Sequence, residues 1–321
     1  MSWVLDVGPV AMDKTKLKKG MLAGEVAVVT GAGGNVGLGT ARSLAWLGAK
    51  VLIVEYAPGP GKAAEELINK ENKPGTALFV ETDVSSEASM KAMAQKAFDT
   101  FGKVDIYVSN AMDMSMGAPI LASTIRQLDR QYEISARGTL LGIHLFVPPM
   151  VQRHHGVVTY SATAFKDPPG PANYCAAKAA TTSILMSLAY ELGPVEESGV
   201  AIFTFIPAGV GWPRSGRRAG VEPPKPATPP RAMGGYEGMI PPEDGGAAFA
   251  YCITRAKELH GSGVTVQQAL RQMDWPFPRP ETVNQLGDFQ RIDDMALTMM
   301  FSIMGPGFPD PKGPVRPIAR Q

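Results

Sequence analysis

A tyrosine and a lysine four positions apart, in the run Tyr174-Cys175-Ala176-Ala177-Lys178, are the residues of this 321-residue chain whose types and spacing speak first of chemistry. On a helix that spacing sets both side chains on one face, one turn apart. A phenol beside an ammonium is a tunable acid, because a nearby positive charge favours the phenolate. Free tyrosine, with a pKa near ~10, is too weak a base at neutral pH. Lowering that value by about three units corresponds to roughly 4 kcal/mol of differential stabilisation.

Far upstream, the strand-like run Val26-Ala27-Val28-Val29 leads into Thr30-Gly31-Ala32-Gly33-Gly34-Asn35-Val36-Gly37, and a helix-like segment follows. Glycines there let the backbone turn tightly and approach a pyrophosphate, which would sit on the free amides of the helix N-terminus. The next strand-like run ends at Glu55, 24 residues past Gly31. A carboxylate at that place accepts from adenosine ribose hydroxyls and repels a 2′-phosphate. No Arg or Lys in the turn or just after Glu55 compensates it, which favours NAD over NADP. Hydride transfer to or from a carbon bearing oxygen needs a proton donor or acceptor at that oxygen, and the phenol supplies one.

The elements that must position these groups alternate from Glu25 to about Val266 between short β-branched runs and longer helical ones. That alternation predicts an α/β domain, a doubly wound parallel sheet of Rossmann type covered on both faces. Strands are expected at 26–29, 51–54, 77–81, 104–108, 156–160, 200–205 and 264–266, with helices at 39–47, 62–70, 86–101, 125–146 and 174–192. Three regions flank this pattern or interrupt it. Residues 1–22 form an N-terminal extension to a domain at 23–271, a Pro-, Gly- and Arg-rich segment at about 209–242 reads as a lid loop, and 272–321 form a Met-rich, then proline-punctuated C-terminal extension.

With these motifs in this order, the stretch from about Glu25 to Val266 resembles the short-chain dehydrogenase/reductase family. The resemblance rests on TGAGGNVG, Glu55, Thr82-Asp83-Val84, Ser109-Asn110-Ala111, Ser161, Tyr174 with Lys178, and Pro207-Ala208-Gly209-Val210. It implies that Gly31, Gly34, Asn35, Val36 and Gly37 cradle the dinucleotide, that Asp83 and Val84 meet the adenine, and that Asn110 and Ala111 lie beside the adenosine ribose. It also implies that Pro207 and the backbone around Val210 hold the nicotinamide carboxamide. Tyr174 is then the general acid/base. Lys178 holds the nicotinamide ribose and depresses the Tyr174 pKa, and Ser161, 13 positions before Tyr174, hydrogen-bonds the reacting oxygen, with Thr159 and Thr163 nearby.

The pattern departs from the family at four places. Its turn reads TGxxGxxG, with Asn35 where the shorter branch has a glycine. Ser135 stands where an Asn normally supports a proton-relay water. Met112 replaces a glycine after Asn110-Ala111, and Ala208 and Trp212 replace a Gly and a Thr after the sixth strand. Met112, Phe165 and Trp212, with Met114 and Met116, suggest an apolar alcohol or ketone. The loop cations Arg214, Arg217, Arg218, Lys225 and Arg231, set against Glu222 alone, would attract an acidic group on it.

About 45% apolar and 19% charged residues, with a net charge of +1, exclude a specialised polyanion binder and imply no nucleic-acid partner. The N-terminus lacks a secretory pattern and no apolar run approaches the roughly 20 residues that span a bilayer, so a cytoplasmic protein without a membrane partner is expected. Cys175 and Cys252 read as reduced thiols, and the spacing of the four histidines predicts no metal site. A homodimer or homotetramer acting on a small molecule is expected from the family. Two alternatives stay open at this point: an epimerase or dehydratase that retains its NAD, and a non-catalytic NAD-binding sensor or scaffold.

Overall fold

The computed structural model of the chain describes residues 3–10, 12–113, 120–163, 171–211, 216–218 and 234–280. In chain order the elements are β1 (Trp3–Leu5), β2 (Val26–Thr30), α1 (Asn35–Trp46), β3 (Lys50–Glu55), α2 (Pro58–Glu71), β4 (Ala77–Glu81), α3 (Glu87–Phe101), β5 (Ile106–Ser109) and α4 (Ile125–Tyr132). They continue with α5 (Gly138–Gln152), β6 (Gly156–Ser161), α6 (Ala172–Leu192), α7 (Val195–Ser198), β7 (Val200–Ile206), β8 (Gly216–Arg218), α8 (Pro242–Thr254), β9 (Ser262–Thr265) and α9 (Val266–Gln272). Phe165, Trp212, Met114, Met116, most of the arginine-bearing loop and the Met-rich stretch beyond 280 lie outside the described residues.

Seven strands form one parallel sheet in the order β4-β3-β2-β5-β6-β7-β9. Its central strands are continuous apolar runs because both faces are covered: every residue of β2 is buried. One face packs Leu38, Ala41 and Leu44 of α1, Ala64 and Ile68 of α2, and the small buried residues of α8. The other packs Met90 and Met93 of α3, Ile143 and Phe146 of α5, and Leu185 and Ala189 of α6. The order of connection reverses between β2 and β5, and the crevice at the carboxyl ends of those strands is where open α/β sheets bind ligands.

The strands stand within a residue or two of their expected places. The expected helix at 125–146 is instead α4 and α5 joined through a π-helical turn, Glu133–Arg137, that centres on Ser135. Such turns insert one residue into the helical ladder and often mark functional positions. The whole run Ile125–Gln152 is 28 residues and apolar enough to cross a bilayer by composition, a length the sequence reading did not anticipate; half of its most apolar window is buried inside the fold.

Residues at the N-terminus climb the outside of the sheet. Leu22 N donates to Leu47 O, and Met12 and Leu17 are buried. Gly8 O accepts from Arg42 Nη2 at 2.8 Å. Arg42 is itself buried on α1 and paired with Glu71 of α2. Beyond this anchor β1 pairs antiparallel with β8, with Trp3 opposite Arg218, Val4 opposite Arg217 and Leu5 opposite Gly216.

Candidate active site

Ser161 is the last residue of β6, and α6 begins eleven residues later behind Pro171, whose ring cannot continue a helix backwards. Tyr174 lies in the first turn of α6 and Lys178 in the next. The Lys178 side chain turns inward, 3% exposed, and its ammonium donates to the Ser161 carbonyl. The same Nζ stands 4.6 Å from the Tyr160 ring centre and 5.7 Å from that of Tyr174. Cation–π attraction of this kind strengthens when the cation has lost its water.

Burial governs the acid–base state of this pair. It draws the Lys178 ammonium down to about 7. It pushes the Tyr174 phenol up to about 12, opposed by a hydrogen bond shared with Thr163. The depression of Tyr174 by Lys178 expected from the sequence is therefore not what the chain alone exhibits: Lys178 is buried and Tyr174 half-buried, and desolvation favours the neutral form of each.

Ser135, expected to support a relay water, spends its hydroxyl inside the protein. Its Oγ lies 2.5 Å from the Tyr160 hydroxyl and 2.9 Å from Thr181 Oγ1, and Thr139 Oγ1 donates to its carbonyl. Tyr160 and Thr181 were not singled out from the sequence. Thr181 lies seven residues after Tyr174 and three after Lys178, the spacing of one helix face, so a signal for it existed. Thr163 was noted only as a substitute for Ser161.

The glycine turn is braced from β5. Asn110 Nδ2 donates to Thr30 O at 3.0 Å and Gly31 O at 3.3 Å. The Asn110 and Ala111 amides donate to Thr30 Oγ1. Gly31 has φ +64°, and a Cβ on Gly37 would lie 2.2 Å from Gly31 O, so neither position accepts another residue. Asn35 occupies the left-handed region at φ +47°, which its side chain tolerates better than most. Gly34 caps α1 with extended backbone; the first turn bears no acidic residue and no side-chain cap. With Val36 in that turn, the positive end of the helix dipole lies where an anion would be favoured.

At the other end of the turn the Glu55 carboxylate accepts from Gly33 N at 3.1 Å, Tyr56 N at 2.9 Å and Ala57 N at 3.2 Å. Asp83 accepts from Ser85 through its amide and hydroxyl, at 2.9 and 2.6 Å, and Val84 is buried beside it. Met112 is half-buried just past Ala111. After β7, Pro207 is half-buried and Ala208 is held at φ +57°. Val210 bridges Ile240 in parallel.

The structure also gathers Glu25, Asp105 and His155, which sequence spacing did not connect. Asp105 is taken by Val26 N at 3.0 Å, Lys103 at 2.9 Å and Arg153 at 3.2 Å, while His155 Nε2 stands 2.9 Å from Glu25. Two cations and an amide already satisfy the buried carboxylate.

Comparison with known proteins gives a consistent picture. The family model described as short chain dehydrogenase matches residues 25–217. An uncharacterized oxidoreductase of Thermotoga maritima is 33% identical over 174 residues, 54% of this chain and 67% of that protein. Trans-4-hydroxycyclohexanecarboxylate dehydrogenase of Sinomonas cyclohexanicum is 32% identical over 181 residues, 54% of this chain and 68% of that protein. Among solved structures, a metagenomic short-chain oxidoreductase in complex with NADP superposes with a TM-score of 0.61 at 26% identity, over 76% of this chain and 97% of that one.

Proposed function

The chain belongs to the short-chain dehydrogenase family, and from that premise we propose that it is an NAD-dependent oxidoreductase interconverting a secondary alcohol and a ketone on a largely apolar substrate able to carry an acidic group. One observation carries this reading: the buried Lys178 lies beside the Tyr174 ring and on the Ser161 carbonyl. The dinucleotide fits the chain's own residues. Gly37 leaves no room for a Cβ beneath the turn, and Gly34, the N-cap of α1, supplies no side-chain cap.

When bound, the nicotinamide supplies the carbon that accepts or gives the hydride. Tyr174 moves the proton at its phenol oxygen, steadied by Thr163. The Ser161 hydroxyl orients the substrate oxygen. Lys178 gains its proton as acceptors are brought beside it, and its charge then favours the phenolate. Ser135 acts at one remove: through the Tyr160 hydroxyl it fixes the ring over which Lys178 sits.

The preference for NAD rests on Glu55, whose charge stands against Gly33 in the turn and which, among the described residues, accepts from backbone amides and from no cation. Family membership alone leaves the choice of dinucleotide open, since the solved relative is complexed with NADP. For the substrate, Met112 supplies apolar bulk and the loop cations an attraction for acids. The Sinomonas relative is named for a ring alcohol bearing a carboxylate. Exposed apolar residues on α4 to α6, among them Tyr132 and Leu140, fit a homodimer or homotetramer, and the cytoplasm is the compartment we assign.

Absorbance of NADH over a panel of secondary alcohols, with NADPH formation as the comparison, tests the reading. Net NADH release is expected from the parent chain, and Tyr174→Phe should lower turnover by about 10²- to 10⁴-fold. A Phe variant as fast as its parent would remove Tyr174 from the chemistry. Turnover of substrate without net NADH would favour the cofactor-retaining alternative.

A further inference from the structure

We propose that the N-terminal strand β1 is a strap that keeps the dinucleotide in its crevice, by fastening the segment after β7 to the adenosine end of the site. The proposal rests on the dinucleotide reading above and adds to it a part of the chain that the family match, starting at residue 25, does not include.

The path of the backbone carries the argument. On leaving β7 the chain passes Gly211, where an added Cβ would lie 2.4 Å from Asn35 Oδ1, so it runs directly against the turn that faces the pyrophosphate. Five residues later, a reach of at most about 18 Å, it is β8 and paired with β1. Strand β1 in turn rests on α2: the Trp3 ring comes 3.5 Å from where a Gly59 Cβ would stand. The next residue, Pro60, and the Glu55 carboxylate each come 2.8 Å from where a Gly33 Cβ would lie. The chain is therefore held at Gly211 against Asn35, and, through the pairing of β8 with β1, at Gly59 next to Glu55, so the two rims of the crevice are tied to each other.

The root of the strap is anchored on the core. Leu5, Val7 and Val10 pack on the core, and Gly8 is tied to the buried Arg42. A three-residue antiparallel pair is marginal by itself. It holds only while Trp3 stays seated on α2, so it opens locally without unfolding the sheet. The indole Nε1 is buried with no hydrogen-bond partner, so the contribution of Trp3 lies in ring packing.

The test measures NADH and NADPH dissociation from the full chain by stopped-flow fluorescence, in the parent, Trp3→Ala, Trp3→Phe and a chain lacking residues 1–4. We expect Trp3→Ala and the deletion to release cofactor roughly tenfold faster or more, with association little altered. Their cofactor-free melting temperatures should match the parent's, because the Gly8 anchor is intact. Trp3→Phe should keep the parent's rate, since it keeps the ring. An unchanged rate in Trp3→Ala and the deletion overturns the strap alone, and so does a loss in Trp3→Phe as large as in Trp3→Ala. A parent chain that holds neither dinucleotide overturns the cofactor reading, and the strap with it.

Discussion

Lys178 has left water almost completely, and that has a measurable thermodynamic sign. Its folded-state pKa is drawn from 10.5 to about 7 by burial. Between those values the unfolded chain binds a proton that the folded chain does not, so unfolding is favoured there and stability rises as pH climbs from about 7 toward 10. Thermal melts of the cofactor-free protein should show this rise, and Lys178→Met should flatten it. A parent profile without slope in that window would mean that Lys178 keeps its charge when buried. Tyr174 acts in the opposite sense, its raised pKa withdrawing stability only above about 10. That Tyr174, Lys178 and Ser161 come together was legible in the sequence, because type and spacing along one helix and the strand before it are enough to place them. The partnership of Ser135 with Tyr160 and Thr181 was not, since three elements meet there and no local pattern encodes it. Ala208 illustrates the middle case. The sequence marked it as standing in for a glycine, and the structure holds it in the left-handed region, at a cost of about 1–2 kcal/mol for a residue with a Cβ.

Among elements, α1 and α8 meet backbone against backbone. A Cβ on Gly39 would lie 1.8 Å from Pro242 O, and one on Gly246 would lie 2.0 Å from the Gly39 carbonyl carbon. Backbone meets backbone, so no side-chain shift can make room. Gly246→Ala should cost about 3 kcal/mol or more and lower Tm by about 6 °C or more. Because α1 begins at the glycine turn proposed to face the pyrophosphate, the same variant should bind dinucleotide more weakly. Calorimetry and a titration with NADH read the two effects, and a variant as stable as its parent would contradict the contact. Helix α8 escaped the sequence reading for a physical reason: all but two of its residues are buried, so PEDGGAAFAYCIT has no polar face and no helical period to detect. Helices α2 and α3 each keep a polar face and were found, α3 to within a residue and α2 with its first turn missed. The π turn at Glu133–Arg137 left no mark in its residues.

For the whole molecule, the alternation of β-branched and helical runs was enough to anticipate the doubly wound sheet, because a strand buried on both faces is apolar throughout. What it could not anticipate is which outer surfaces stay apolar. Tyr132 and Leu140 are more than a third exposed, and they share a groove with Ile143, Ile184 and Leu188 of the facing helices. If a second copy covers this groove, Leu140→Asp and Leu188→Asp should reduce the mass seen by light scattering to that of one chain. A parent already monomeric at micromolar concentration would refute the homo-oligomer.

The pairing of Trp3 with Arg218 joins positions more than two hundred residues apart. At ordinary rates of synthesis the partner of the first strand emerges from the ribosome roughly ten to forty seconds after it. A newborn chain therefore carries its opening strand as an unmatched edge while the central sheet assembles, and the ribbon is closed only when translation has passed β8.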